Sequence, residues 1–237
     1  MTLLYLVRHG ETDWNKQRRI QGSTDIPLNE TGREQARTTG RLLAGRDWDA
    51  VVSSPLSRAF ETASIIASEL GLDSPAPVDE LVERRYGAAE GLDYDEIAER
   101  FPLDTAVPGR EERDAVAARV IPALIALAEE HPGKSLVVVS HGGVIRSVLT
   151  AVEPEEGFGS IRNGSVHSFR HTDGTLELIA FDDPIERLSL ECATDELEEQ
   201  NAVEQREASN QARPDFLRSA TTEVNSSSSI AADRGHE

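Results

Sequence analysis

Leu136 to Ser140 reads L-V-V-V-S, a short β-branched run with no polar alternation. A strand that is apolar on both sides must be covered on both sides, which is the condition of a parallel sheet held between layers of helices. Two other runs are of the same kind: Leu3 to Val7 (L-L-Y-L-V) and Asp49 to Ser53 (D-A-V-V-S). Each of the three is followed by a helical pattern. Thr31 to Leu43 has helical spacing beyond a polar loop, Glu11 to Asn29. Ser54-Pro55 supplies an N-cap and a first-turn proline for a helix that runs to Leu70 and stops at Gly71. Gly143 to Val152 follows the third run, and Asp114 to Glu130, with Pro122 inside it as a candidate kink, precedes that run. Ser165 to His171 and Leu176 to Phe181 are two further strands, joined by the hairpin signal Asp173-Gly174. The expected fold is a three-layer α/β/α sandwich, mostly parallel, with an antiparallel edge hairpin.

What stands at the strand ends matters most, because open α/β sheets bind ligands beyond the carboxyl ends of their strands. The first strand ends in Arg8-His9-Gly10, and the second in Ser53-Ser54-Pro55 with Arg58 one turn into the next helix. The third ends in Ser140-His141-Gly142-Gly143. Taken singly these are unremarkable: a His beside an Arg is an ordinary loop pair, and an Arg on a helix is an ordinary surface charge. Three parallel strand ends share one edge, however, so the four side chains can converge, joined by the positive ends of the following helices. Arginine forks suit phosphate oxygens, and an uncharged imidazole is a nucleophile. A phosphoryl group in transfer needs that combination of fixed positive partners and an in-line nucleophile. The expected parts are His9 as nucleophile, its pKa lowered by the neighbouring cations, with Arg8, Arg58 and His141 as the clamp. His141, facing a dianion, is expected to shift toward its charged form.

The net charge of −19 speaks against nucleic acid or an anionic membrane as partner, and requires a locally positive pocket for an anionic substrate. No apolar run is long enough for a transmembrane helix, and the N-terminus lacks the pattern of a signal peptide. The single cysteine, Cys192, excludes an internal disulfide framework and fits a cytoplasmic protein. Of the remaining histidines, His131 and His236 have no partner at metal-ligand spacing, and His167 and His171, four residues apart, read as strand residues on one face of the hairpin's first arm, so neither metal nor cofactor is expected. Residues 1–184 read as one domain. Beyond them, 185–237 is an acidic stretch rich in Glu, Gln, Asn and Ser, expected to be largely disordered apart from a short helix over Ile185 to Leu197.

The segment L-L-Y-L-V-R-H-G-E-T, with Trp14-Asn15 following, resembles the signature of the histidine phosphatase superfamily, also called phosphoglycerate mutase-like. S-S-P-L-S-R-A-F-E-T-A and the His141-Gly142 strand end match further motifs of that family in the right order. L-V-E-R-R-Y-G-A-A-E-G-L, Leu81 to Leu92, resembles its acid-bearing motif. The resemblance implies the phosphoglycerate mutase-like fold and a phosphohistidine intermediate on His9. It implies Glu83 as the acid that protonates the leaving alcohol and then activates water, ahead of Glu90 or Glu11. It also implies Asn15, the Gly22-Ser23 backbone and Gly142 as substrate-binding groups. The expected activity is hydrolysis of a small phosphorylated metabolite. Two alternatives stand beside it: a cofactor-dependent phosphoglycerate mutase, whose acid motif the E-R-R-Y-G run resembles, and a non-catalytic module that binds phosphorylated ligands. The short cap insert, about residues 92–113, favours the phosphatase because its acidic residues over Leu92 to Gly109 suit a bisphosphate poorly. Neither the alcohol half of the substrate nor the oligomeric state has a signature in the chain.

Overall fold

The computed structural model describes residues 1–102 and 105–183. The acidic segment 185–237, its expected helix and Cys192 lie outside the described residues. The element order is β1 (Thr2–Arg8), α1 (Asp13–Lys16), α2 (Glu30–Leu43), β2 (Ala50–Ser53), α3 (Ser57–Leu70), β3 (Ala76–Pro77), α4 (Tyr94–Arg100), α5 (Arg113–Glu130), β4 (Ser135–Ser140), α6 (Gly142–Val152), β5 (Val166–Thr172) and β6 (Thr175–Ala180).

The strands form one sheet in the order β3-β2-β4-β1-β5-β6. β2, β4 and β1 are mutually parallel, while β5 and β6 run antiparallel on the β1 side. The continuous apolar runs are explained by two cores, one on each face. Leu4, Leu6, Leu136 and Val138 point to a core closed by Val116, Val120 and Leu124 of α5 and by Val144, Ile145 and Val148 of α6. Tyr5, Val7, Val137 and Val139 point the other way, to Leu43 of α2 and to Ala59, Ala63 and Ile66 of α3. Side chains alternate between faces along a strand, so neither face can be polar when both are covered. The three-layer sandwich with an antiparallel edge is therefore the observed architecture. The hairpin turns at Asp173 and Gly174, both at positive φ (49° and 77°), as a two-residue turn of matching twist requires.

Three details differ from the sequence reading. β3 is a two-residue edge strand containing Pro77, too short for periodicity to reveal. The polar loop after β1 holds the one-turn α1, closed by a capping box between Thr12 and Asn15. The third difference is that α3 begins at Ser57, two residues later than the Ser54-Pro55 signal suggests, and Ser54 does not cap it. The Asp25 carboxylate accepts instead from Ser57 N (2.8 Å) and Ser57 Oγ (2.7 Å). An anion from a distant loop thus does the capping, and the Ser54 hydroxyl is left for another partner.

Candidate active site

The register of the central strands brings the sequence-predicted residues to one edge. Arg8 stands opposite Ser140 across β1 and β4, and Ser53 stands opposite Val139 across β2 and β4. The ladder continues one step past the strand ends: His9 N donates to Ser140 O (3.0 Å) and Ser54 N to Val139 O (3.0 Å). β4 lies in the middle, so His141 emerges between the β1 and β2 ends. The His9 and His141 rings lie edge to face with centroids 5.2 Å apart. Arg8, His9, Arg58 and His141 are all buried.

His9 Nδ1 lies 2.7 Å from the carbonyl oxygen of Gly10. A carbonyl only accepts, so Nδ1 carries the proton and Nε2 keeps its lone pair. Burial lowers the His9 pKa well below the usual imidazole value; the Arg58 and Arg8 charges lower it further, and the Gly10 bond opposes them only in part. The loop that carries the ring is held in turn. Asn163 Nδ2 donates to His9 O (2.9 Å), and Gly10 N donates to Thr62 Oγ1 (3.1 Å), whose hydroxyl donates to Arg58 O (2.7 Å).

The two arginines are anchored by carbonyls. Arg58 donates from its Nη atoms to Thr24 O and Gly22 O, both at 2.8 Å, and Arg8 Nη1 donates to Ile161 O at 2.6 Å. For Arg58 these carbonyl acceptors orient the guanidinium without cancelling its charge. Among the buried donors without a hydrogen-bond partner in the described residues are three from three different elements near this strand edge: Arg58 Nε, His141 Nδ1 and Asn15 Nδ2. Buried donors are almost always satisfied, so such a group of them marks a place built for acceptor oxygens. The orientation of Asn15 follows from its other atom, since Oδ1 accepts from Thr12 N (3.1 Å).

Glu83 is buried at the start of α6. Its Oε1 accepts from Arg84 N (2.7 Å) and Val144 N (3.2 Å), and its Oε2 from Gly143 N (3.2 Å). It closes a helix whose own N-cap residue, His141, makes no side-chain cap. Gly143 permits this approach: a Cβ there would come within 2.7 Å of Glu83 Oε1. Burial raises the Glu83 pKa, against the opposing pull of Arg58 and the backbone donors. Oε2, which takes the fewer bonds, is the oxygen suited to hold a proton. Gly142 backs onto the Arg8 guanidinium, where an added Cβ would lie 3.4 Å from Nε.

Without a ligand, burial lowers the His141 pKa well below the usual imidazole value, and the Arg58, His9 and Arg8 charges lower it further; the expected shift toward the charged form concerns the site with a bound dianion. One expectation needs correction: the Ser23 amide, expected as a substrate donor, is already engaged. Glu90 Oε1 accepts from Ser23 N (3.2 Å) and Tyr86 N (3.0 Å), and Glu90 Oε2 accepts from Thr24 N (3.2 Å) and Thr24 Oγ1 (2.8 Å). Gly22, at positive φ, leaves the room: a Cβ there would collide with Glu90 Oε1. Glu90 therefore shapes the loop whose carbonyls grip Arg58. Sequence reasoning set Glu90 below Glu83 and missed Asn163, which has no local signal, and Thr62, which lies inside the quoted S-S-P-L-S-R-A-F-E-T-A motif. Among the described residues no helix is long and apolar enough to cross a membrane.

Known proteins of one family resemble the chain. The model of the histidine phosphatase superfamily (branch 1) matches residues 4–184. The chain is 43% identical over 152 residues to the uncharacterized phosphatase PhoE of Bacillus subtilis, covering 64% of this chain and 78% of that protein. It is 37% identical over 179 residues to a metal-independent phosphoserine phosphatase of Arabidopsis thaliana, covering 70% of this chain and 75% of that one. Among solved structures, a mycobacterial glucosyl-3-phosphoglycerate phosphatase in complex with VO3 superposes with a TM-score of 0.69 at 30% identity, covering 76% of this chain and 98% of that one.

Proposed function

The chain belongs to the histidine phosphatase superfamily and is an enzyme of the phosphatase kind, and from that premise we propose that it hydrolyses a small phosphorylated metabolite through a phosphohistidine on His9. The observation that carries the reading is the 2.7 Å bond from His9 Nδ1 to Gly10 O, which leaves Nε2 unprotonated beside two arginines that carbonyls hold in place.

In the first step Nε2 forms the bond to phosphorus, and the bond from phosphorus to the alcohol oxygen breaks. Arg8, Arg58, Asn15 and His141 hold the equatorial oxygens, and the Glu83 proton passes to the departing alkoxide. In the second step water attacks the phosphohistidine, Glu83 takes its proton, and inorganic phosphate leaves with His9 neutral again. The domain performing this chemistry spans 1–184, with the insert 92–113 as its cap.

Two features favour water over a sugar acid as acceptor. Acidic residues of the cap are part of its fold: Asp93 and Glu96 form the capping box of α4, and Glu96 pairs with Arg19 at 3.1 Å. Arg84 of the mutase-like E-R-R-Y-G run packs its guanidinium 5.2 Å over the Tyr86 ring and donates from Nε to Glu111 O at 2.7 Å. The test is incubation with p-nitrophenyl phosphate and, separately, with 3-phosphoglycerate plus catalytic 2,3-bisphosphoglycerate. Hydrolysis of the first with an acid-labile adduct on His9 is expected. Interconversion of phosphoglycerates without hydrolysis would make the protein a mutase, and neither reaction would make it a binding module.

A further inference from the structure

We propose that Ser54 is a positioning residue of this reaction: its hydroxyl holds His141 in the one tautomer that presents an N–H to the transferring phosphoryl group. The proposal rests on the phosphoryl-transfer reading above and adds a residue to it.

The argument is a count of protons around two fully buried side chains. Ser54 Oγ makes two hydrogen bonds among the described residues. It accepts one from Leu56 N (3.3 Å), and it lies 2.8 Å from His141 Nε2. A serine hydroxyl has a single proton to give. Leu56 N is itself a donor, so His141 Nε2 is the acceptor left for that proton. If Nε2 receives it, the ring proton of neutral His141 resides on Nδ1. Nδ1 is the buried atom with no partner, in the same cluster as the unpartnered Arg58 Nε and Asn15 Nδ2. All three are then donors, as a site for phosphoryl oxygens demands. The opposite tautomer would leave the Ser54 proton without an acceptor and would offer an oxyanion the lone pair of Nδ1. Burial and the surrounding cations keep His141 neutral in the chain alone, so its tautomer is a real choice.

The strand order explains how the pair meets. β2 and β4 are neighbours, and Ser54 and His141 are the first residues beyond their carboxyl ends. With Asp25 capping α3, the Ser54 hydroxyl has no helix to close. A hydroxyl also suits both charge states of the ring. When bound phosphate draws a second proton onto His141, Nε2–H can donate to Ser54 Oγ after the hydroxyl rotates, whereas alanine serves neither state.

The test has two arms. In the phosphate-free wild type, the ¹⁵N shifts of His141, assigned by their loss in His141→Gln, are expected to show a protonated Nδ1 and an unprotonated Nε2. The reverse pattern overturns the proposal. In Ser54→Ala the preference is expected to collapse or invert, with a thermal midpoint close to wild type. An unchanged ring spectrum in that variant also overturns it. In the kinetic arm, Ser54→Ala lowers kcat/KM on p-nitrophenyl phosphate by about 10- to 100-fold. The same change in a His141→Gln background costs less than about twofold, because the group it positions is already gone. Losses that multiply in the double variant would show that Ser54 acts elsewhere. If the wild type hydrolyses no phosphomonoester at all, the phosphatase reading fails, while the ring spectrum still decides the tautomer.

Discussion

Arg58 and Arg33 sit on adjacent helices and are satisfied in opposite ways. Arg33, on α2, pairs with Glu61 (2.7 Å) and Glu30 (3.2 Å), with about a third of its side chain exposed (33%). Arg58, on α3, is wholly buried and donates to two backbone carbonyls, with no carboxylate within ion-pair distance among the described residues. The first arginine is neutralised at the surface. The second is oriented but keeps its charge for something yet to arrive. This contrast resolves the tension between a net charge of −19 and a site for an anion: on this helix pair, the acidic residues meet surface arginines while carbonyls hold the buried one.

The largest blow to the buried region should come from His9→Ala, which removes the proposed nucleophile. Turnover is expected to fall by at least about 10³-fold, measured as phosphate release; retention of a tenth of the wild-type rate would rule His9 out as the nucleophile. Arg58→Ala should lower kcat/KM by about 10²- to 10³-fold, since it deletes a fixed cation and the grip on the Gly22–Thr24 loop. The matched change Arg33→Ala should leave kcat/KM within about twofold and stability within about 1 kcal/mol, as for other half-exposed ion pairs. Equal effects of the two variants would erase the distinction drawn here.

Glu83→Gln sharpens the comparison within the site. It should slow alkyl phosphates by about 10²-fold, and aryl phosphates much less, because only the former need a proton on the leaving group. The pH profile of kcat/KM should reflect the same pair. The acid limb belongs to His9, whose neutral form is required and whose pKa lies well below the usual value. The alkaline limb belongs to Glu83, whose protonated form is required and whose pKa is raised. In the wild type the alkaline limb should appear with an alkyl phosphate and be absent with an activated aryl ester, while the acid limb appears with both.

A smaller effect is expected at the open end of the edge hairpin. Buried His167 accepts from Asp182 N through Nδ1 (3.1 Å), with Ser165 Oγ 3.0 Å from its Nε2, and burial lowers its pKa to about 4. The unfolded chain, with an ordinary imidazole, then binds more protons between about pH 6.5 and the folded value. Stability from this group is complete above that window and is lost as pH falls through it. The loss amounts to about 2 kcal/mol between pH 7 and pH 5. Urea unfolding of wild type and His167→Gln at the two pH values should show that difference shrinking in the variant; an identical pH slope in both would refute the assignment.

Much of this was legible in the chain. Unbroken apolar runs demanded two covered faces, Asp173-Gly174 marked the hairpin, and helix α3 ended at Gly71 as read. Those features depend on residues near one another in sequence. The start of α3 was misread because its cap, Asp25, lies far upstream, and a distant anion can replace a local N-cap with no trace in the helix's own residues. The roles of Glu90 and Ser54 were hidden for the same reason.

From sequence alone came the chemical inventory: two histidines, two arginines and an acid, each at a strand end or in a recognisable motif. Tertiary structure alone decided which of their atoms are occupied. The order β2-β4-β1 sets His141 between Ser54 and His9, and a carbonyl on one ring and a hydroxyl on the other assign the protons. Residue type fixes what a side chain can donate or accept. Only packing fixes which partner has already claimed it, because burial removes the water that would otherwise satisfy every atom alike.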